Sequence, residues 1–129
     1  VFCIFCDILK SKRGIFMKEK HILVCISNAS DHQKAICAGA QIAYALNARF
    51  SAVVADNNYL RENADMKRNI AFAESKGARI ITFDEQDFVL QSAEYARISN
   101  ATHVVLQEDV FWLSFFSIII NCYSRILDF

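Results

Sequence analysis

The chain has 129 residues, 54% of them hydrophobic, with 14 Lys and Arg balancing 14 Asp and Glu, no proline and three glycines. That length holds one domain around a single core. Zero net charge argues against nucleic acid or an anionic membrane surface as the main partner, because both recruit through a basic excess.

Aromatic residues concentrate at the two ends, so the chain divides into an N-terminal extension (residues 1–20), a domain (21–107) and an apolar tail (108–129). Asp7 interrupts the apolar residues at the start, no basic region precedes them and no small-residue cleavage pattern follows, which makes a poor signal peptide. Met17-Lys18-Glu19-Lys20 resembles a translational start. Residues 12–16 can be encoded by a purine-rich, G-rich stretch at about the distance of a bacterial ribosome-binding site, so residues 1–16 are expected to be translated leader. Cys3 and Cys6 form a lone C-x-x-C without the second ligand pair that a structural zinc needs, and no metal site is assigned.

His21-Ile-Leu-Val-Cys-Ile-Ser27 is a continuous apolar run, the pattern of a strand covered on both faces. Ser30 and Gln33 have the spacing of a capping box at the start of a first helix that runs to about Asn47. Ile36, Ala40, Ala43 and Leu46 mark its inner face, and Gly39 permits close approach to the sheet. Residues 50–55 form a second strand and residues 79–83 a third, both mostly β-branched or aromatic. Between them a second helix over 62–76 turns Met66, Ile70 and Ala73 inward, and Gly77 suits the position after it, which requires positive φ. A third helix covers 87–99, with Asp87 at its positive end, and residues 103–106 make a fourth strand. In the tail the apolar run of residues 111–120 is half the ~20 residues that a membrane span requires. It reads as a buried last strand and dimer edge. Cys25 and Cys37 read as small buried hydrophobes in a reducing cytoplasm.

Strands alternating with helices at this spacing build right-handed βαβ crossovers, hence an α/β, three-layer, doubly wound, Rossmann-like parallel sheet. Ligands in such sheets bind beyond the carboxyl ends of the strands. Here that edge consists of residues 27–30, the segment after Ala55 and the segment after Leu106.

Four phrases carry a family resemblance: Ile22-Leu-Val-Cys-Ile-Ser27, Ala38-Gly-Ala-Gln-Ile-Ala-Tyr-Ala-Leu-Asn-Ala48, Ala71-Phe-Ala-Glu-Ser-Lys-Gly-Ala78, and Glu94-Tyr-Ala-Arg-Ile-Ser-Asn-Ala-Thr-His-Val-Val-Leu106. Residues 21–107 resemble a universal stress protein domain, in the version found within osmosensitive potassium sensor histidine kinases of the KdpD type. The resemblance implies the adenine nucleotide alpha hydrolase-like strand order 3-2-1-4-5 and a homodimer through the last strand. It also implies a regulatory role in potassium and osmotic stress, within two-component signalling, rather than catalysis. The rest of a sensor kinase is then an expected partner.

Family members that bind ATP carry a glycine-rich loop after the fourth strand. Here Gly77 is the last glycine, and Gln107-Glu108-Asp109 sets two carboxylates where phosphates would lie, which disfavours ATP. Domains of the KdpD type that bind cyclic di-AMP carry Ser-x-Ser, a twenty-residue gap and Phe-Thr-Ala-x-Tyr. This chain has Ser27-Asn28-Ala29, residues 30–49, then Phe50-Ser51-Ala52-Val53-Val54. The spacing matches, while Ala29 replaces the second serine and Val54 the tyrosine. The resemblance assigns Ser27, Asn28, Ala29 and Ser30 to a phosphate at the positive end of the first helix, and Phe50, Ser51, Ala52 and Val54 to a base pocket. The plain structural alternative ends a strand at Ser27, makes Ser30 a cap and puts Phe50 in the core.

Two other classes stand beside this one. Residues 27–32 distantly resemble the Ser-Gly-Gly-x-Asp-Ser loop of ATP pyrophosphatases, with Asn28 and Ala29 where that loop needs glycines. Alternatively, the chain is a ligand-free dimerisation module of the same family. No catalytic residue is assigned: His21, His32 and His103 form no set and read as surface or capping groups, and Asp84 to Asp87 reads as capping.

Overall fold

The structure, a computed structural model, describes residues 2–5 and 19–107. In chain order the elements are β1 (Phe2–Phe5), β2 (His21–Ile26), α1 (Gln33–Leu46), β3 (Arg49–Asp56), α2 (Asn58–Glu62), α3 (Ala64–Ser75), β4 (Arg79–Asp84), a 3₁₀ turn (Glu85–Asp87), α4 (Phe88–Ile98) and β5 (His103–Leu106). The sheet runs β1-β5-β2-β3-β4.

β5, β2, β3 and β4 are mutually parallel, with Ile22 opposite both Phe50 and His103, and Val54 opposite Thr82. Counted from His21, their order is the expected 3-2-1-4. The position beside β5 is filled by β1, which runs antiparallel with Phe2 opposite Leu106 and Phe5 opposite His103. A parallel strand cannot end a sheet without leaving a row of unpaired N–H and C=O groups, and this short segment covers them. The strand and dimer edge expected from residues 108–129 lie outside the described residues.

All six residues of β2 are buried, as its apolar run requires. Successive strand residues point to opposite faces, and β3 shows both sides of the sheet. Phe50 lies against α1: a Cβ built on Gly39 would stand 2.9 Å from its ring. Ser51, on the other face, is hydrogen-bonded to His21, whose ring meets Tyr95 of α4 edge-on at 6.1 Å. The glycine therefore permits the close approach that the sequence implies. The inner face of α1 is Ala35, Ile36, Gly39 and Ala43, about one residue round from the predicted stripe. Leu46 is consequently 42% exposed.

The predicted second helix is two helices. Asn57 accepts from the Leu60 N–H at the start of α2. Asn63 leaves helical geometry (φ −76°, ψ 128°) and accepts from the N–H groups of Asp65 and Met66, so that it caps α3. Asparagine competes well for backbone donors, which favours it at caps over helix interiors. Gly77 follows α3 at φ +91°, the left-handed position anticipated for it.

All three histidines are buried, which corrects the surface or capping role expected of them. His21 and His32 are wholly enclosed and His103 nearly so. Each is held by a polar neighbour: His21 Nε2 lies 2.8 Å from Ser51 Oγ, His103 Nδ1 3.0 Å from Thr102 Oγ1, and His32 Nδ1 2.7 Å from the Ser30 carbonyl. A carbonyl only accepts, so His32 carries its proton on Nδ1. Periodicity counts these side chains as polar, whereas imidazole is buried readily once a ring nitrogen finds a partner.

Cys25 is 1% exposed, and burial pushes its thiol pKa upward by disfavouring the thiolate. Thiolate is the nucleophile, so Cys25 is expected to resist iodoacetamide in the folded protein and to react fully in denaturant. Peptide mapping after labelling checks this, and rapid native labelling of Cys25 would contradict the buried β2.

Candidate functional site

The carboxyl ends of β2, β3 and β4 open on residues 27–31, on α2 and on the 3₁₀ turn. The first of these segments folds by local side-chain bonds. Asn28 Oδ1 accepts from both the N–H and the hydroxyl of Ser30, and Asp31 Oδ1 accepts from the Gln33 N–H. The expected Ser30–Gln33 capping box is therefore absent. α1 begins at Gln33, with His32 at the N-cap position and no side-chain bond from it. A capping box needs the glutamine three places after the cap, and the helix starts too late for that.

Asn69 of α3 anchors this loop. It is 3% exposed, donates from Nδ2 to the Ser30 carbonyl at 2.8 Å and accepts the His32 N–H at 3.2 Å. The same carbonyl also receives His32 Nδ1–H, so two buried donors converge on it. An asparagine in line with Met66 and Ala73 on the inner face of a helix is the sequence signal for this anchor. The sequence reading passed over it.

Two pockets flank α3. The polar one, of about 250 Å³, is lined by Ala29, Ser30, Asp31, Gln33, Asp65, Arg68 and Asn69. Arg68 is its one positive charge, and it is paired with Asp65 at 2.6 Å. The apolar one, of about 300 Å³, lies beyond β3 and β4 among Val54, Ala55, Leu60, Met66, Ile70 and Thr82, with Asp56, Arg61 and Lys67 around it. Arg61 makes a forked contact with Asp56, Nη2 at 2.9 Å and Nε at 3.3 Å, which pushes the guanidinium pKa further up.

The eight residues assigned by resemblance divide between these pockets and the core. Ser27, Asn28 and Ala29 are half-buried and Ser30 is exposed at the strand ends, with Ala29 and Ser30 lining the polar pocket. Val54, level with Ile26 at the end of β2, lines the apolar pocket. Phe50, Ser51 and Ala52 lie lower in β3 and are buried. Phe50 is level with Ile22 and packs under Gly39, Ser51 bonds His21 on the opposite face, and Ala52 stands opposite Val24. Four residues of strand rise about 13 Å, which separates Phe50 from the ligand edge. Residues 27–30 and Val54 lie toward the carboxyl ends of the strands, with Ala29 and Ser30 in one pocket and Val54 in the other, and residues 50–52 are buried in the sheet.

Among the described residues no helix is long and apolar enough to cross a membrane, and no three His, Cys, Asp or Glu are grouped to hold a metal ion. Comparison with protein-family models and with curated proteins finds no match for this chain.

Proposed function

We propose that this chain is a non-catalytic regulatory module of the universal stress type that binds a nucleotide at the carboxyl edge of its sheet. The observation that carries the reading is the pair of pockets on either side of α3. One is polar and lies at the amino end of α1, where the positive helix end favours a phosphate. The other is apolar and of a size for a base.

Cyclic di-AMP suits the arrangement better than ATP. Its phosphates carry fewer charges, and Asp31 and Asp65 repel a triphosphate more strongly than a diester. Valine at position 54 offers no ring for stacking, a contact worth ~1–3 kcal/mol per base, so binding is weaker than in a site with tyrosine there. The potassium and osmotic signalling role, the cytoplasmic setting and the attached kinase rest on the resemblance alone.

A thermal-shift titration tests the reading. Ligand at a hundred times its Kd stabilises by ~2.7 kcal/mol, several degrees for a domain of this size. Cyclic di-AMP is expected to raise the Tm, ATP to do so less, and Arg68→Glu to abolish both responses. No shift from either nucleotide would remove this function and leave a ligand-free interaction module.

A further inference from the structure

We propose that β4 is a self-pairing edge, through which two copies of this chain join their sheets antiparallel. This goes beyond the nucleotide reading and does not depend on it. It also uses the sheet edge opposite to the last strand, where the family resemblance implies a dimer. The outer side of β5 is already occupied by β1.

Among the described residues β4 pairs with β3 only, leaving its outer row of backbone donors and acceptors unpaired by any strand. Proteins blunt such edges with bulges, prolines or central charges. β4 has none of these: its register against β3 is unbroken from Arg79 to Asp84, and Ile80, Ile81, Thr82 and Phe83 carry no charge. Helices α3 and α4 pack against β4, and among the described residues no strand pairs with its outer edge.

Symmetry then selects the partner and the register. Directly opposite residues of an antiparallel pair share a face. A twofold axis normal to the sheet keeps each residue on its own face, so the axis must pass through a residue. With the axis at Thr82, that residue meets Thr82 of the second copy, and Ile81 meets Phe83. Arg79 then meets Glu85, the first residue of the 3₁₀ turn, and Ile80 meets Asp84; each of these last three contacts occurs twice. Threonine pairs, aromatic–β-branched pairs and opposite charges are the favourable cross-strand combinations. With the axis one residue earlier, at Ile81, Arg79 would face Phe83 and Glu85 would face Gly77, so that ion pair would be lost, while Asp84 would face Ala78 in place of Ile80. Arg79 and Glu85 are both exposed. Arg79 makes no ion pair among the described residues, and Glu85 has only Asn57 on one oxygen. The occupant that complements this edge in charge and in side-chain type is a second copy of the chain.

The test is sedimentation equilibrium on the full 129-residue chain over a wide concentration range, with circular dichroism and thermal melting to establish that each variant is folded. The native chain is expected to show a reversible monomer–dimer equilibrium. Thr82→Lys, which sets two lysines against each other at the axis, is expected to be monomeric. Arg79→Glu alone and Glu85→Arg alone each create two like-charge pairs and should weaken the dimer roughly tenfold. An equimolar mixture of those two variants should recover it, because every charge then meets its opposite. A monomer at all concentrations would overturn the proposal. So would a dimer that Thr82→Lys leaves intact, or charge variants whose mixture is no tighter than either alone. Nucleotide titration of the Thr82→Lys monomer scores the binding reading separately.

Discussion

Phe50→Ala is expected to lower the stability of the protein by about 3–5 kcal/mol, read as a drop in the urea midpoint at unchanged slope. Small domains have only ~5–15 kcal/mol in total, so this variant unfolds in far less denaturant. The size follows from where the ring lies: Phe50 is 8% exposed, beneath Gly39 of α1 and level with Ile22 of β2. No side chain projects from Gly39 to collapse into the space, so the cavity persists. Phe50→Leu keeps most of the volume and should cost much less. The same pair of variants separates core from ligand pocket. If Phe50 stacked on a base, both would lose nucleotide response, and alanine would cost little stability. A small stability loss with complete loss of binding would contradict the packing described above.

The second large effect is expected at Asn69. Asn69→Leu preserves volume but removes the acceptor for the His32 N–H and one donor to the Ser30 carbonyl. Leaving buried polar groups without these bonds costs about 1–3 kcal/mol, and amide exchange at His32 should accelerate by a matching factor. Residues 27–31 lose their tie to α3, so a ligand at the polar pocket should bind more weakly even where the protein is folded. Asn69→Asp sharpens the point through pH. Ionised, the new carboxyl still accepts from His32 but faces the Ser30 carbonyl, so its folded pKa rises above the unfolded value. The deficit relative to the native chain is therefore largest at neutral pH and shrinks as pH falls through the folded pKa, where a carboxyl O–H can donate. Parallel urea titrations at two pH values measure it, and a pH-independent deficit would count against the Ser30 contact.

Much of the parallel sheet was legible because its signals are local. An unbroken apolar run marks a central strand, as in β2, and glycine after a helix marks a left-handed turn, as at Gly77. The break between α2 and α3 was legible in principle, since Asn57 and Asn63 are both good caps, but the apolar period of Met66, Ile70 and Ala73 masked it. The antiparallel β1 was not legible at all: four apolar residues do not reveal which edge they will join, and that choice depends on what β5 leaves unpaired. Histidine was misjudged for a related reason. Its burial depends on a partner such as Ser51 or the Ser30 carbonyl, which only tertiary structure supplies. For the candidate site, the sequence places residues 27–30 just past β2, and they lie there, with Val54 near the same end of β3. Phe50, Ser51 and Ala52 share the motif spacing but are buried lower in that strand, a level that spacing alone does not convey.

The position of β2 also dictates a sequence of events during synthesis. It is flanked by β3, which follows after one helix, and by β5, whose approach Thr102 secures through bonds to His21 across 81 residues. Loop closure over that span is entropically slower and later than the β2–β3–β4 pairings. A nascent chain that has emerged as far as Asp84 thus has a three-stranded half-sheet with its most apolar strand bare along one side. That open side of β2 is the aggregation-prone surface a growing chain must hold until residues 103–106 arrive, and a chaperone that recognises apolar strand edges would engage the protein in that interval.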